Sequence, residues 1–112
     1  MRDPDWKIRL YDMITSLEAI EGYTSALSFE EFSNLSLVID ATLRHLTVIG
    51  EAADRIPEQL KQQHPTVPWR QIKSMRNRLV HDYRGVDLGI VWQTVRTDLP
   101  ALLTTLRDIA AD

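Results

Sequence analysis

The feature that most restricts the fold is the spacing of apolar residues, which recur every three or four positions in four long stretches. This spacing places apolar side chains on one face of an α-helix, and no stretch alternates as a half-buried strand does. We therefore predict an all-α fold: an antiparallel bundle of four main helices with short connecting helical turns. A chain of 112 residues fits one domain, 1–112, and a domain this small often gains stability by pairing with a second copy.

Capping signals divide the first half of the chain. A first helix is expected to start after Asp3-Pro4, an acid followed by proline at the first helical position, and to end near residues 23–28. Ser28 and Glu31 match a capping box at the start of a second helical stretch, with Asn34 as an alternative cap one turn later. Gly50 lies inside the apolar stripe of this stretch, which indicates close helix packing.

Proline and glycine set the boundaries in the second half. Ile56-Pro57 ends the second stretch, and one short helical piece is expected after it. The third main helix is predicted from Trp69 to about Asp82, with Gly85 suited to a left-handed cap. The last helix is predicted from about Asp87, with a kink or a restart near Pro100 because proline cannot continue a regular helix.

Composition excludes several classes of protein. There is no cysteine, so disulfides and thiolate metal sites are excluded, and His45, His64 and His81 lack metal-ligand spacing. No apolar run approaches the roughly 18 residues needed to cross a bilayer, and the first ten residues are too charged for a secretion signal. We therefore expect a cytoplasmic protein that needs neither a metal nor an organic cofactor.

The charge distribution is uneven. The net charge of the chain is -3, yet the segment 68–84 holds five basic residues against one acid, a local charge of +4. The remainder of the chain therefore carries -7. A concentrated positive segment in an acidic chain attracts phosphate groups, although a solvated helix face would look the same.

Arg76 departs from the pattern of the third helix. On a helical wheel of about 100° per residue, it falls within the apolar stripe of the helix, formed by Ile72, Met75, Leu79 and Tyr83. An unpaired guanidinium facing a core costs several kcal/mol. It must therefore meet an internal carboxylate such as Glu51, or lie at a cleft, a subunit interface or a bound phosphate.

A second copy of the chain would account for the position of Arg76 relative to His81. Asn77 and His81 are four residues apart and share one face of the helix. Arg76 and His81 are five apart, about 140° around the axis, so they cannot converge from one straight helix. A two-fold dimer that brings two such helices together would place both residue types around one groove.

The pattern Arg76-Asn77-x3-His81 resembles the signature of the HEPN (higher eukaryotes and prokaryotes nucleotide-binding) superfamily, and Arg76-x4-His81-x-Tyr83 resembles its HepT toxin branch. The similarity covers about Asp12 to Leu103. It includes five further segments, in order: 43–46 with 49–52, then 68–72, then 86–88 with 91–92. His45 departs from the branch, where asparagine more often follows the arginine, and this leaves the role of that position open.

The resemblance implies a HEPN-like bundle that acts as a metal-independent endoribonuclease toxin. Arg76, Asn77 and His81 would then carry cleavage, because a histidine is partly protonated near neutrality and an arginine stabilises charge on phosphoryl oxygens. The RNA backbone would be held by three basic residues: Lys73, Arg78 and Arg84. The resemblance also implies a minimal nucleotidyltransferase (MntA-like) antitoxin that AMPylates Tyr83.

Two other functions stay open at this point. A non-catalytic HEPN module would only bind its nucleotidyltransferase partner or a nucleotide. A structural dimerisation bundle would pair Arg76 with an internal acid and would have no groove. For Tyr83 and His81 taken alone, packing and a favourable helix C-terminus are the plain structural interpretations.

Overall fold

The computed structural model describes residues 3–81 and 85–112. These residues are helical or in short connections, with no strand among them, which confirms the all-α prediction. The elements in chain order are α1 (Asp5–Thr24), α2 (Phe29–Ser33), α3 (Ser36–Asp54), α4 (Glu58–Gln63), α5 (Trp69–His81), α6 (Leu88–Gln93), a π-helical turn (Thr94–Asp98) and α7 (Leu99–Ala111).

The core lies where α1 packs against α3 and α7. The predicted apolar stripes supply it, because each long helix buries the residues that recur at three- and four-residue spacing. Within it, α1 contributes Leu10, Met13, Leu17 and Ile20; α3 contributes Leu43, Leu46 and Ile49; and α7 contributes Leu99, Leu102, Leu103 and Leu106. The third main helix, α5, packs on the outer side of α3.

The capping box is present, but it starts a separate short helix. The Ser28 hydroxyl accepts a hydrogen bond from the Glu31 backbone N–H at 3.1 Å, and the Glu31 carboxylate accepts one from the Ser28 N–H at 2.9 Å. These bonds lower the pKa of Glu31. Asn34 does not cap α3, because its side-chain amide donates back to the Glu30 carbonyl at 2.9 Å. Leu35 occupies the cap position of α3 instead.

The interruption expected near Pro100 takes the form of a π-helical turn. Asp87 caps α6 by accepting hydrogen bonds from the backbone N–H groups of Gly89 and Ile90 at 2.8 and 3.2 Å. The helix then widens over Thr94–Asp98 before α7 continues with Pro100 in its first turn. Proline lacks an N–H and its ring clashes with the carbonyl four residues earlier, so a wider turn relieves both problems.

Arg96, within this π-helical turn, ties the C-terminal helices to the connection after α1. Its guanidinium donates hydrogen bonds to the carbonyls of Ser25, at 3.3 Å, and of Leu27. It also lies over the ring of Trp92, 4.6 Å from the ring centroid.

In residues 3–81 and 85–112, every helix is too short or too polar to cross a membrane. The predicted glycine cap after Tyr83-Arg84 involves residues outside the described part of the chain.

Candidate active site

The connection before α5 fixes where this helix begins. The Trp69 indole N–H donates to the His64 carbonyl at 3.0 Å, and the Trp69 backbone N–H donates to Val67 at 2.8 Å. Val67 is buried, and Pro68 accepts from the Ile72 N–H at 3.1 Å. The helix that carries the predicted catalytic residues is therefore anchored at its start by the tryptophan and by a buried valine.

The two faces of α5 agree with the helical wheel. Ile72 and Leu79 are buried and Met75 is half-buried. Five residues on the polar side of the wheel are exposed: Arg70, Lys73, Asn77, Arg78 and His81. Arg84 and Tyr83 lie outside the described residues.

Arg76 is half-buried and packs directly against Gly50 of α3. A Cβ atom built on Gly50 would lie 2.2 Å from the Arg76 Cβ and 2.6 Å from its Cγ. No side chain fits there, so the glycine permits the close approach of the two helices. This confirms that Gly50 marks close packing, and it shows that the packing partner is the arginine itself.

The Arg76 guanidinium meets an amide oxygen. Its Nη1 donates to the Asn77 Oδ1 at 3.1 Å, and its Nε is buried without a hydrogen-bond partner. No carboxylate forms an ion pair with it among residues 3–81 and 85–112, and Glu51 is exposed. Arg9 also has a buried Nε, but its guanidinium lies 3.8 Å from the carboxylates of both Asp5 and Asp12. The internal carboxylate considered from the sequence is therefore absent from the described residues.

His81 occupies the last turn of α5 and is exposed. The helix is regular from Trp69 to His81, so the directions of Arg76 and His81 differ by about 140° around its axis. A single copy therefore does not bring these two side chains together through this helix. Asn77 lies beside Arg76 and shares a helix face with His81, so it is placed between them.

Lys73 and Arg78 have different surroundings. The Lys73 ammonium lies 4.0 Å from the Asp54 carboxylate of α3, with both side chains largely in solvent. An exposed pair of this kind is weak and leaves the lysine able to meet a phosphate. Arg78 instead lines a groove on the other side of α5, which it shares with Arg70. The sequence did not single out Arg70 as a binding residue, because a helical wheel does not show which polar side faces a neighbouring helix.

His45 belongs to a separate polar cluster on α1 and α3. Its Nδ1 is 3.0 Å from the hydroxyl of Ser16, which is buried, and its Nε2 is 3.4 Å from the Tyr23 hydroxyl. Burial, and secondarily the neighbouring Arg44, lower the pKa of His45. These contacts give the residue at this position a role in joining two core helices.

In the part of the chain that the structure describes, no three histidine or acidic residues are grouped to hold a metal ion.

Known proteins that resemble this chain in sequence carry ribonuclease names. The family model described as "Ribonuclease HepT-like" matches residues 13–109. The chain is 41% identical over 93 residues to "Probable ribonuclease HepT" of Thermococcus cleftensis, covering 83% of this chain and 84% of that protein. It is 34% identical over 108 residues to "Putative RNase MJ0125" of Methanocaldococcus jannaschii, covering 96% and 93% of the two chains. No solved structure gives a significant match. The chain therefore belongs to the ribonuclease HepT-like family.

Proposed function

We propose that this protein is a metal-independent endoribonuclease toxin in which Arg76, Asn77 and His81 carry out cleavage. The observation that supports this most directly is the Arg76 guanidinium. The Cβ and Cγ of Arg76 pack against Gly50, and the guanidinium has a buried Nε and no carboxylate partner among the described residues. A cation without an internal counter-charge is available to an anionic ligand. Because the chain belongs to a ribonuclease family, we take this anion to be an RNA phosphate.

The proposed chemistry needs two proton transfers and one stabilised phosphorane. The 2'-oxygen of a ribose attacks the adjacent phosphorus while the bond from phosphorus to the 5'-oxygen breaks. One imidazole takes the proton from the 2'-hydroxyl and another group delivers a proton to the 5'-oxygen. Histidine suits both transfers near neutral pH, and such acid–base help is worth about 10² to 10⁴ in rate. Arg76 would stabilise the developing negative charge, and Asn77 would orient the guanidinium it already contacts.

A homodimer would complete this site. Val80 follows Arg76 by one turn on nearly the same face of α5, and its apolar side chain is 55% exposed. A second copy that covers Val80 would also cover Arg76 and exclude water from it. Two copies would supply two imidazoles to one groove, one for each proton transfer, which a single α5 does not offer.

The basic segment 68–84 would also bind the RNA substrate and be the target of the antitoxin partner. Lys73, Arg78 and Arg84 would hold the RNA backbone in a salt-sensitive way. An MntA-like nucleotidyltransferase antitoxin would neutralise the toxin by AMPylating Tyr83, two residues from His81. The added phosphodiester brings bulk and negative charge to the place where an RNA phosphate should bind. Such a toxin would act in the cytoplasm, where its RNA substrates are.

The cleavage proposal is tested by RNA degradation with purified wild type, Arg76→Ala and His81→Ala. Arg55→Ala and His64→Ala are matched controls, because both residues lie outside the proposed site. We expect loss of cleavage in the first two variants and wild-type rates in the controls. Equal activity in all five proteins would remove the catalytic assignment. Absence of activity in the wild type, together with tight nucleotidyltransferase binding, would favour the non-catalytic module.

The modification proposal has its own test. The protein is incubated with an active MntA-like partner and ATP, and the peptide that contains Tyr83 is analysed by mass spectrometry. We expect an added AMP on that peptide and none on the same peptide of Tyr83→Phe. Modification of Tyr11 or Tyr23 instead, both of which are exposed, would contradict the assignment.

A further inference from the structure

A long groove separates α5 from the C-terminal helices. It encloses about 730 Å³ between α5 on one side and α6, the π-helical turn and α7 on the other. A second cavity of about 260 Å³ adjoins it and shares Met75, Arg78, Ile90 and Thr94. The second cavity ends at 85–87, just beyond the C-terminal end of α5. The two cavities thus form one groove that follows α5 along much of its length, here called the α5 groove.

The walls of the α5 groove have the chemistry of a polyanion site with an apolar floor. Arg70 and Arg78 project from α5 eight residues apart, about 12 Å along the helix axis. Neither arginine forms an ion pair within residues 3–81 and 85–112, and two acids, Asp87 and Asp98, line the opposite side. Hydroxyl groups occupy the rim and aliphatic side chains occupy the floor; among them are Thr97, Thr105, Ile72 and Leu102.

One edge of the α5 groove points in the same direction as His81, although Arg76, Asn77 and His81 do not line it. On the wheel that sets Trp69 at zero, Arg70 and Ser74, which both line the groove, lie at about 100° and 140°. His81 lies at about 120°, between these two directions, and Asn77 lies at about 80°. The other groove residues of α5, among them Met75 and Arg78, lie at about 180° to 300°, and Arg76 lies at about 340°, outside this range. The edge of the groove near Arg70 therefore points toward the side of the helix that carries His81, whereas most of the groove faces away from Arg76.

We propose that the α5 groove binds a short single-stranded segment of the RNA substrate, on the His81 side of the proposed cleavage site. The phosphates would meet Arg70 and Arg78, and the bases would lie against the aliphatic floor. This inference rests on the proposed ribonuclease function and names the class of substrate: RNA whose bases are unpaired. A groove of this volume accepts ligands the size of a few nucleotides, whereas a duplex keeps its bases stacked inside and offers them to no such floor.

The test measures RNA binding in a His81→Ala background, so that the RNA stays intact. A fluorescein-labelled oligouridylate is titrated by fluorescence anisotropy at about 50 and 200 mM salt. Arg70→Ala should weaken binding at least about threefold. Since each phosphate contact with a single strand contributes about 0.7 to the salt slope, the loss of affinity over this salt range should be about 2.6-fold smaller than in the parent protein. Arg55→Ala, an exposed arginine outside the groove, should change neither quantity.

A second variant fills the groove without changing charge. Thr97→Trp places a large side chain at an exposed position on its rim, and Thr15→Trp makes the same change at an exposed position of α1. The first should weaken oligouridylate binding by about tenfold or more, and the second should bind as the parent protein does. A duplex of the same length should bind more weakly than the single strand. Circular dichroism checks that each variant is folded.

Three results would overturn the inference. The first is unchanged RNA affinity in both Arg70→Ala and Thr97→Trp, and the second is equal binding of duplex and single-stranded RNA. The third is that Thr97→Trp changes the mass measured by sedimentation while its RNA affinity stays the same. The last would assign the groove to a subunit interface. Cleavage by proteins that retain His81 is measured in parallel. If the wild type fails to cleave RNA while the groove variants still alter binding, the nuclease proposal fails and the binding site stands. If cleavage depends on His81 but not on the groove, only the binding site fails.

Discussion

The contact between Gly50 and Arg76 predicts that Gly50→Ala destabilises the protein, although alanine is the better helix former. The new Cβ would lie 2.2 Å from the Arg76 Cβ, and ordinary contact begins near 3.4 Å. Since the obstructing atom is fixed to the backbone of α5, the helix must move by about 1.2 Å. Overpacking of this kind costs about 1–3 kcal/mol. The gain in helix propensity is about 1 kcal/mol.

We therefore expect a net loss of about 2 kcal/mol in the free energy of unfolding, near the upper end of the overpacking range because no flexible side-chain tip can yield. For a domain of this size, that loss lowers the melting temperature by on the order of 10 °C. Urea unfolding followed by circular dichroism measures it. Gly22→Ala is the matched control: a Cβ there meets nothing within 4 Å, so it should gain about 0.5–1 kcal/mol.

A second-site change sharpens the test. Arg76→Ala should not restore stability to Gly50→Ala, because alanine keeps the Cβ that causes the clash. Arg76→Gly should restore part of it, despite the cost of a second helical glycine. The reasoning is refuted if Gly50→Ala is as stable as the wild type or if it behaves like Gly22→Ala. Within the proposed function, RNA cleavage by Gly50→Ala should also fall, since a shift of about 1 Å at a catalytic group can cost about 10²-fold in rate.

Two further predictions concern the scaffold. The pKa of His45 is lowered below its ordinary value of 6.5 by burial and by Arg44, so the unfolded chain binds the proton more tightly. The contribution of His45 to the free energy of unfolding is therefore complete above about pH 6.5 and decreases as the pH falls below that value. Urea unfolding measured across this pH range should show a loss of stability at low pH in the wild type that is absent from His45→Gln. Identical pH profiles of the two proteins would contradict this. Arg96→Ala should lower the free energy of unfolding by about 1–2 kcal/mol through loss of its bonds to the Ser25 and Leu27 carbonyls. Arg96→Lys should recover only part, since an ammonium lacks the planar fork; full recovery by lysine, or the same loss in Arg55→Ala, would argue against the bonding role.

The helices follow from the sequence because burial of apolar stripes dominates the folding of a small all-α chain. Local hydrogen bonds are harder to foresee. The side chain of Asn34 could cap the start of α3 or hydrogen-bond to the end of α2. In the structure, its amide donates to the Glu30 carbonyl, so it belongs to the end of α2. Pro100 indicated an interruption, but not that it takes the form of a π-helical turn over Thr94–Asp98.

Part of the candidate site could be predicted from the sequence, because two of its residues depart from the pattern of their helices. Gly50 and Arg76 each broke the rule of its own helix, one as a glycine within a stripe and the other as a charge within a stripe. Joining them into one contact requires knowing that α3 and α5 touch at these residues. The α5 groove was not predictable, because it depends on the separation of α5 from the C-terminal helices. In the sequence, Arg70 is only one of the basic residues of segment 68–84, and the resemblance assigned Arg78, but not Arg70, to the RNA backbone.

The most direct test of the central claim is the chemistry of the RNA ends. Cleavage by attack of the 2'-hydroxyl, assisted by His81 and Arg76, produces a 2',3'-cyclic phosphate and a 5'-hydroxyl. We expect mass spectrometry of an oligonucleotide digested in the presence of EDTA to show these ends with the wild type and none with His81→Ala. Fragments with 5'-phosphate and 3'-hydroxyl ends, or cleavage that EDTA abolishes, would contradict the account.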